Sequence, residues 1–324
     1  MNGLLNCFII NPIAGNGGGK NALVNKITEI CDRLGERYLI HFTEAHGEAT
    51  AYARKFCEDN PDEEIRFYSC GGDGTLNEVA NGIIGCEKAQ LAAIPAGTGN
   101  DFVKCFSETE NFSDIEKQLN ATPSKIDLIK FGAKYCLNLL NIGFDCNVVR
   151  QMRKIREKIN VPNKIAYTVG LVKALFGKFG DRFSLSFDGE KPTESEFLLS
   201  AFGNGQVYGG GYRATPLASI DDGLLDVCLV DKVSRAKFIS LVGRYKKGDH
   251  VSVDDPVPVV HYRKCRKVTF SAAKPVGVCF DGEIEEYDKL EIEVVPKAIN
   301  FCVPLGSECV CLEKTSPFRK ITNT

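Results

Sequence analysis

Cys70-Gly71-Gly72-Asp73-Gly74-Thr75-Leu76-Asn77-Glu78-Val79 is the stretch that decides the reading of this chain. It follows an apolar, strand-like run at 65–69. It precedes a helical pattern in which Leu76, Val79, Ala80 and Ile83 share one face. Thr75 and Glu78 stand three apart, which predicts a capping box at the helix start. Three glycines thus wrap one carboxylate, Asp73, at a strand-to-helix turn. Glycine lets a backbone approach a ligand closely, and the N–H groups that open a helix favour phosphate. An acidic side chain inside a phosphate cradle repels its ligand unless a divalent cation bridges the two. That combination points to a metal–nucleotide site. Taken alone, the same stretch also reads as a glycine turn carrying a solvated aspartate.

Working outward, strands at 4–11, 37–42, 65–69, 91–94 and 125–131 alternate with helices at 21–34, 48–58 and 75–84. Such alternation predicts a parallel sheet covered on both faces, with ligands beyond the carboxyl ends of its strands. From about residue 132 the texture changes. Strands are expected at 135–142, 182–187, 196–202, 224–230, 267–271, 276–280 and 290–295, with few helices among them, chiefly 145–158, 164–176 and 235–246. This reads as a β-sandwich or barrel-like second domain. The expected division is 1–130, 131–300 and a C-terminal segment, 301–324, that either rejoins the first domain or frays. The short linker predicts a shared cleft near residues 128–134.

Other motifs follow strands too. Asn11-Pro12-Ile13-Ala14-Gly15-Asn16-Gly17-Gly18-Gly19-Lys20 is a second N–H-rich loop suited to phosphate, though neither a Walker A loop nor a G-x-G-x-x-G fingerprint. Pro95-Ala96-Gly97-Thr98-Gly99-Asn100-Asp101-Phe102 adds another carboxylate, Asp101. With Asp73 it can surround one magnesium-bound triphosphate. Asp221-Asp222-Gly223-Leu224-Leu225-Asp226 suits either a hard cation or a charged hairpin turn. Phe280-Asp281-Gly282-Glu283 carries a hairpin signal and leaves Glu283 available to accept a proton.

In this order NP-x-x-G, GGDGTLNEV, PAGTGNDF, DDGLLDV and DGE resemble the bacterial soluble diacylglycerol kinases and related lipid kinases, over nearly the whole chain. GGDGT alone is shared with NAD kinases and phosphofructokinases. The resemblance implies an α/β nucleotide domain, a β-rich second domain and an active site in the interdomain cleft. It implies that Asn11, Thr43, Gly71, Gly72, Asp73, Gly74, Thr75 and Thr98 contact ATP. It further implies that Asp73 and Asp101 organise Mg2+, that Asp222 and the carbonyl of Leu224 hold a structural magnesium, and that Glu283 is the general base. Some relatives carry a basic residue shortly before the DDG, where this chain has Ser219 and Ile220. The implied reaction is ATP-dependent phosphorylation of a membrane lipid, diacylglycerol first. The alternatives are a sphingoid base, phosphatidylglycerol, a soluble acceptor, or a catalytically silent lipid- or nucleotide-binding regulator.

The chain has 324 residues, 44% hydrophobic and 25% charged, with a formal net charge of -2, which gives no case for nucleic acid as partner. Its 14 cysteines are scattered without a C-x-x-C, so buried thiols in a reducing cytoplasm are expected rather than disulfides or zinc. Cys309 and Cys311 alone stand close together. Neither a signal peptide nor a run of 18 apolar residues is visible, so any contact with lipid is expected from the inner membrane surface. Arg150, Arg153, Lys154, Arg156, Lys158 and Lys164 cluster along one helical pattern. They suit an anionic membrane or a solvated face equally. A homodimer is neither required nor excluded.

Overall fold

A computed structural model describes residues 3–16, 19–156, 159, 161, 163–252 and 254–310. Gly17, Gly18, Lys158, Cys311 and the rest of the segment to 324 lie outside the described residues, as do the side chains of Asn16 and Lys164. The chain forms two compact units, one of residues up to Leu128 with Pro296–Val310, the other of Ile129–Val295.

The first unit is the α/β unit the sequence predicts. Its elements are β1 (Leu5–Ile10), α1 (Lys20–Leu34), β2 (Arg37–Phe42), α2 (Glu48–Asp59), β3 (Ile65–Gly71), α3 (Asp73–Ile83), β4 (Ala89–Pro95) and the short α4 (Ile115–Leu119); β5 (Thr122–Phe131) leads out of it. The strands are parallel in the order β2-β1-β3-β4, and Asn300 and Phe301 add a further parallel pairing along β4. Every residue of β3 is buried, as expected of a central strand covered on both faces. Phe8, Ile10, Tyr68, Ala92 and Ile94 pack one face against Ile27 and Cys31 of α1. Because β1 lies between β2 and β3, the strand order reverses there, and the loops after β1 and β3 open on the crevice where doubly wound sheets bind ligands.

The second unit is β-rich, again as the sequence predicts. It contains β6 (Lys134–Cys136), β7 (Leu139–Gly143), α5 (Phe144–Arg156), α6 (Asn163–Leu175), β8 (Asp181–Phe187), β9 (Thr193–Gly203), β10 (Leu225–Asp231), α7 (Arg235–Lys247), β11 (Val260–Cys265), β12 (Lys267–Phe280) and the first part of β13 (Glu283–Val303). The pairings β11-β10-β9-β7-β12-β13 are antiparallel. The early halves of β9 and β12 both pair with β8, and their later halves both pair with β7. Strands that change partners midway fold the sheet over a sandwich-like core containing Leu140, Phe183, Phe202, Phe270 and Ile292.

Four local expectations change. The strand read at 135–142 is two, β6 and β7. The two strands read at 267–271 and 276–280 are one strand, β12, whose register with β13 shifts between Ser271 and Val276. β11 went unread because its polar residues, His261, Arg263 and Lys264, break the apolar pattern. There is also no capping box on α3. Its N-cap is Gly72, without a side-chain bond, and Glu78 lies well inside the helix. Glu78 instead caps α2: its carboxylate accepts from Gly47 N–H at 3.0 Å and Ala49 N–H at 3.2 Å. The helix had lacked a cap of its own, since its N-cap residue is Gly47. Glu78→Ala therefore removes two charge-assisted bonds at a helix start and should cost about 1–2 kcal/mol. Thermal unfolding of the nucleotide-free protein checks this, and an unchanged melting temperature would return Glu78 to the surface.

Candidate active site

In the first unit the loops after β1, β3 and β4 are tied to one another through main-chain and short side-chain bonds. Asn11 leaves β1 with its N–H on the Cys70 carbonyl at 3.0 Å. Its Nδ2 donates to Thr75 Oγ1 at 3.2 Å, while its Oδ1 accepts from Ile13 N–H at 3.1 Å. The β4 loop is fastened to the β3 loop by Ala96 and Gly97, whose N–H groups both donate to the Gly71 carbonyl, at 2.8 and 3.1 Å. A Cβ on Gly97 would stand 2.5 Å from Gly72 Cα, so this contact requires glycine. Asn100, in a left-handed conformation at φ 47°, clamps the turn by accepting from Gly97 N–H at 3.1 Å and donating to its carbonyl at 2.8 Å.

Asp73 is the centre of this arrangement. It is the first residue of α3, and its Oδ1 accepts from the N–H groups of Asp101 at 2.7 Å and Phe102 at 3.2 Å. A Cβ on Gly99 would lie 2.9 Å from Asp73 Oδ2, so that glycine keeps the second oxygen uncrowded. Asp101 is buried, and Lys104 Nζ forms an ion pair with its Oδ1. Lys104 escaped the sequence reading; its spacing of three from Asp101 at a helical turn was the available signal. Gly74 and Thr98 are exposed at the same loops, and Thr75 is buried. Thr43 follows β2 with its N–H on the Ile10 carbonyl at 3.0 Å, also buried.

Two carboxylates beside the uncapped N–H groups of a helix start form a donor set that fits magnesium carrying phosphate. Magnesium keeps several waters and takes one or two carboxylates plus phosphate oxygens. Among the described residues no group of three His, Cys, Asp or Glu side chains forms a metal cage. A cation held at Asp73 would thus complete its shell with water and ligand oxygens.

In the second unit β12 and β13 join through Asp281 and Gly282, both at positive φ (43° and 91°), as in a two-residue type I′ hairpin. The Asp281 carboxylate accepts from the N–H groups of Leu137 at 3.0 Å and Leu139 at 3.3 Å, which fixes the turn. Glu283 opens β13, and its Oε2 lies 3.2 Å from Arg153 Nη2 of α5. The same guanidinium donates to the Gly282 carbonyl at 2.7 Å. Arg150 pairs with Glu286 at 2.8 Å. Two cations of the basic helix therefore hold the DGE hairpin, which the sequence reading did not foresee.

The DDG segment is tied to a lysine that the sequence reading did not single out. Ser219 Oγ donates to Asp221 Oδ1 at 2.8 Å. Asp222 Oδ1 accepts from Leu224 N–H at 3.0 Å, and its Oδ2 accepts from Lys264 Nζ at 2.7 Å. The Asp222 carboxylate, which the resemblance assigns with Leu224 to a structural magnesium, is thus paired with the Lys264 ammonium.

Among the described residues most cysteines are buried thiols, Cys309 being exposed and Cys86 half-buried; Cys7, Cys70, Cys228 and Cys279 have no contact with solvent or nearly none, and burial pushes Cys7 and Cys279 up to about 12.

Comparison with known proteins agrees with this architecture. The diacylglycerol kinase catalytic domain matches residues 6–131, and the YegS C-terminal NAD kinase β-sandwich-like domain matches residues 138–303. A candidate lipid kinase of Staphylococcus haemolyticus is 28% identical over 286 residues, covering 87% of this chain and 89% of the relative. One from Staphylococcus aureus strain MSSA476 is 26% identical over 285 residues, 87% and 90% of the two chains. The crystal structure of a candidate diacylglycerol kinase from Bacillus anthracis str. Sterne superposes with a TM-score of 0.72 at 24% identity, over 91% of this chain and 96% of that one, a likeness of fold. With a matching model over each unit, the chain belongs to the bacterial soluble lipid kinase family, a diacylglycerol kinase catalytic domain followed by a YegS-type C-terminal domain.

Proposed function

We propose that this chain transfers the γ-phosphoryl group of ATP, with magnesium, to the hydroxyl of a membrane lipid, diacylglycerol being the leading acceptor. The observation that carries the reading is the Asp73 carboxylate, held by two main-chain N–H groups at the uncapped start of α3. Phosphoryl transfer asks a protein mainly for positioning and for neutralising charge on the transferring group. Bound magnesium supplies part of that neutralisation. The N–H groups opening α3 suit the phosphates, Asp73 and Asp101 suit the cation and its waters, and Lys104 adds positive charge beside Asp101. Asn11, Gly71, Gly72, Gly74, Thr75 and Thr98 belong to the same three loops, and Thr43 to the neighbouring strand end.

Glu283 is proposed as the general base. A hydroxyl is a weak nucleophile, and a fixed carboxylate within hydrogen-bond reach accepts its proton as the bond to phosphorus forms. Arg153 and the Asp281-anchored turn orient that carboxylate.

The lipid reading gains support from α6. Ile165, Val169 and Val172 of α6 and Phe176 just after it recur at spacings of four, three and four and are exposed, Phe176 at 84%. Exposed Lys154 and Arg156 lie on α5, which packs against α6. An apolar stripe near cations suits the interface of an anionic bilayer. It takes over the docking role from Arg150 and Arg153, which are engaged by Glu286 and Glu283. Among the described residues no helix is long and apolar enough to cross a membrane.

Labelled ATP and magnesium, offered with diacylglycerol, sphingoid base, phosphatidylglycerol and soluble alcohols in mixed micelles, test the reading. Label should enter a lipid, most rapidly diacylglycerol. Label confined to soluble acceptors, or to none, contradicts it. In the same assay Glu283→Gln should lose at least about 10²-fold in turnover while still binding ATP; unimpaired turnover excludes the base.

Gly74 offers an independent test. A Cβ there meets nothing within 4 Å, so Gly74→Ala should leave the free protein as stable as wild type, or stabler by up to ~1 kcal/mol. If phosphate approaches this backbone, the same methyl group should weaken MgATP binding by about tenfold or more, ~1.4 kcal/mol. Unchanged calorimetric affinity would move the phosphate elsewhere.

A further inference from the structure

We infer that Lys264 is a built-in cation that closes the Asp222–Asp226 segment, and that this segment takes no divalent metal. The proposal begins with register. On the antiparallel pair of β10 and β11, Lys264 stands directly opposite Asp226. Tyr262, two residues earlier, projects from the same face of β11. Its hydroxyl donates to Asp226 Oδ1 at 2.7 Å. Lys264 Nζ lies 3.4 Å from the other oxygen, Asp226 Oδ2. Both side chains thus reach Asp226, which has no exposure to solvent.

The ammonium has two more partners. It donates to Asp222 Oδ2 at 2.7 Å and to the Leu217 carbonyl at 3.4 Å. An ammonium group has three N–H donors and no acceptor; Asp222 Oδ2 and the Leu217 carbonyl accept from it, and Asp226 Oδ2 stands at ion-pair distance. The Lys264 side chain is only 16% exposed, so the arrangement is largely shielded from water. Each Asp222 oxygen already has a donor, since Oδ1 receives Leu224 N–H.

Two carboxylates this close repel each other, which favours either a retained proton or positive charge beside them; burial pushes Asp226 up to about 7, and the Lys264 charge opposes that rise. In this chain a strand residue brings that charge, fixed by the pairing of β10 with β11 rather than recruited from solution. A divalent cation approaching Asp222 would meet a like charge already seated on its oxygen. The sequence is consistent with this arrangement: the residues just before the DDG are Ser219 and Ile220, and Ser219 is used to hold Asp221. The inference is independent of the proposed reaction. It concerns what holds the turn, whichever hydroxyl accepts phosphate.

The test counts metal. Manganese is titrated into the nucleotide-free full chain and followed by paramagnetic resonance, for wild type and for Asp222→Asn. The proposal expects the same number of bound ions and the same affinities in both. Loss of one equivalent in Asp222→Asn overturns it. Lys264→Met provides the complementary experiment by leaving the two carboxylates without their cation. Its melting temperature should fall by about 5 °C or more, and 10 mM-range magnesium (roughly) should restore part of that fall while leaving nucleotide-free wild type unmoved. An equal magnesium response in the two proteins overturns the proposal. Should Lys264→Met fail to fold, the manganese count on wild type and Asp222→Asn decides alone.

Discussion

The hydrogen bonds from the Asp101 and Phe102 N–H groups to one oxygen of Asp73 are the constraint on which the α/β unit depends. The carboxylate stands at the start of a helix, among three glycines, and two main-chain donors from the β4 loop orient it. They can reach it only because Gly97 lies against Gly72 without a Cβ. The loop that carries them is in turn fastened to the Gly71 carbonyl. Sheet order supplies the place, since β1 and β3 are neighbours at the reversal of strand order. Glycine supplies the approach, and the carboxylate supplies the charge.

The second unit repeats the same physical device with different parts. Asp281 is anchored by the N–H groups of Leu137 and Leu139, so the turn that presents Glu283 has a fixed conformation. Arg153 then holds the carboxylate and the Gly282 carbonyl with one guanidinium nitrogen, Nη2. At the DDG segment the organising group is an ammonium. Main-chain N–H groups set the carboxylates of Asp73 and Asp281, while a basic side chain from a neighbouring element sets those of Glu283 and Asp222.

Much of this was legible in the sequence, and the reasons can be traced to particular residues. The strand–helix alternation and the glycine loops located the parallel sheet and the Asp73–Asp101 pair, because period and turn chemistry are local. The DG hairpin before Glu283 was legible for the same reason. What could not be read was tertiary. Glu78 has the spacing of a capping-box residue but caps α2, because the pairing of α2 with α3 brings Gly47 to it. Lys264 sits in a polar strand that breaks the apolar pattern, and only the register with Asp226 reveals its partner. Arg150 and Arg153 belong to a cluster that in sequence suits an anionic membrane or a solvated face equally, and only the fold brings the hairpin acids beside them. The apolar stripe of α6 was hidden by its overall hydrophobic character, since burial and exposure look alike in a sequence.

The central claim is that Asp73 is preset to engage a cation carried by the nucleotide. Calorimetric titration of wild type and Asp73→Asn with ATP, with and without magnesium, tests it most directly. Wild type should bind MgATP more tightly than metal-free ATP. In Asp73→Asn that magnesium-dependent gain should disappear while the thermal stability of the free protein stays close to wild type. A folded Asp73→Asn protein that keeps the full magnesium-dependent gain would contradict the account.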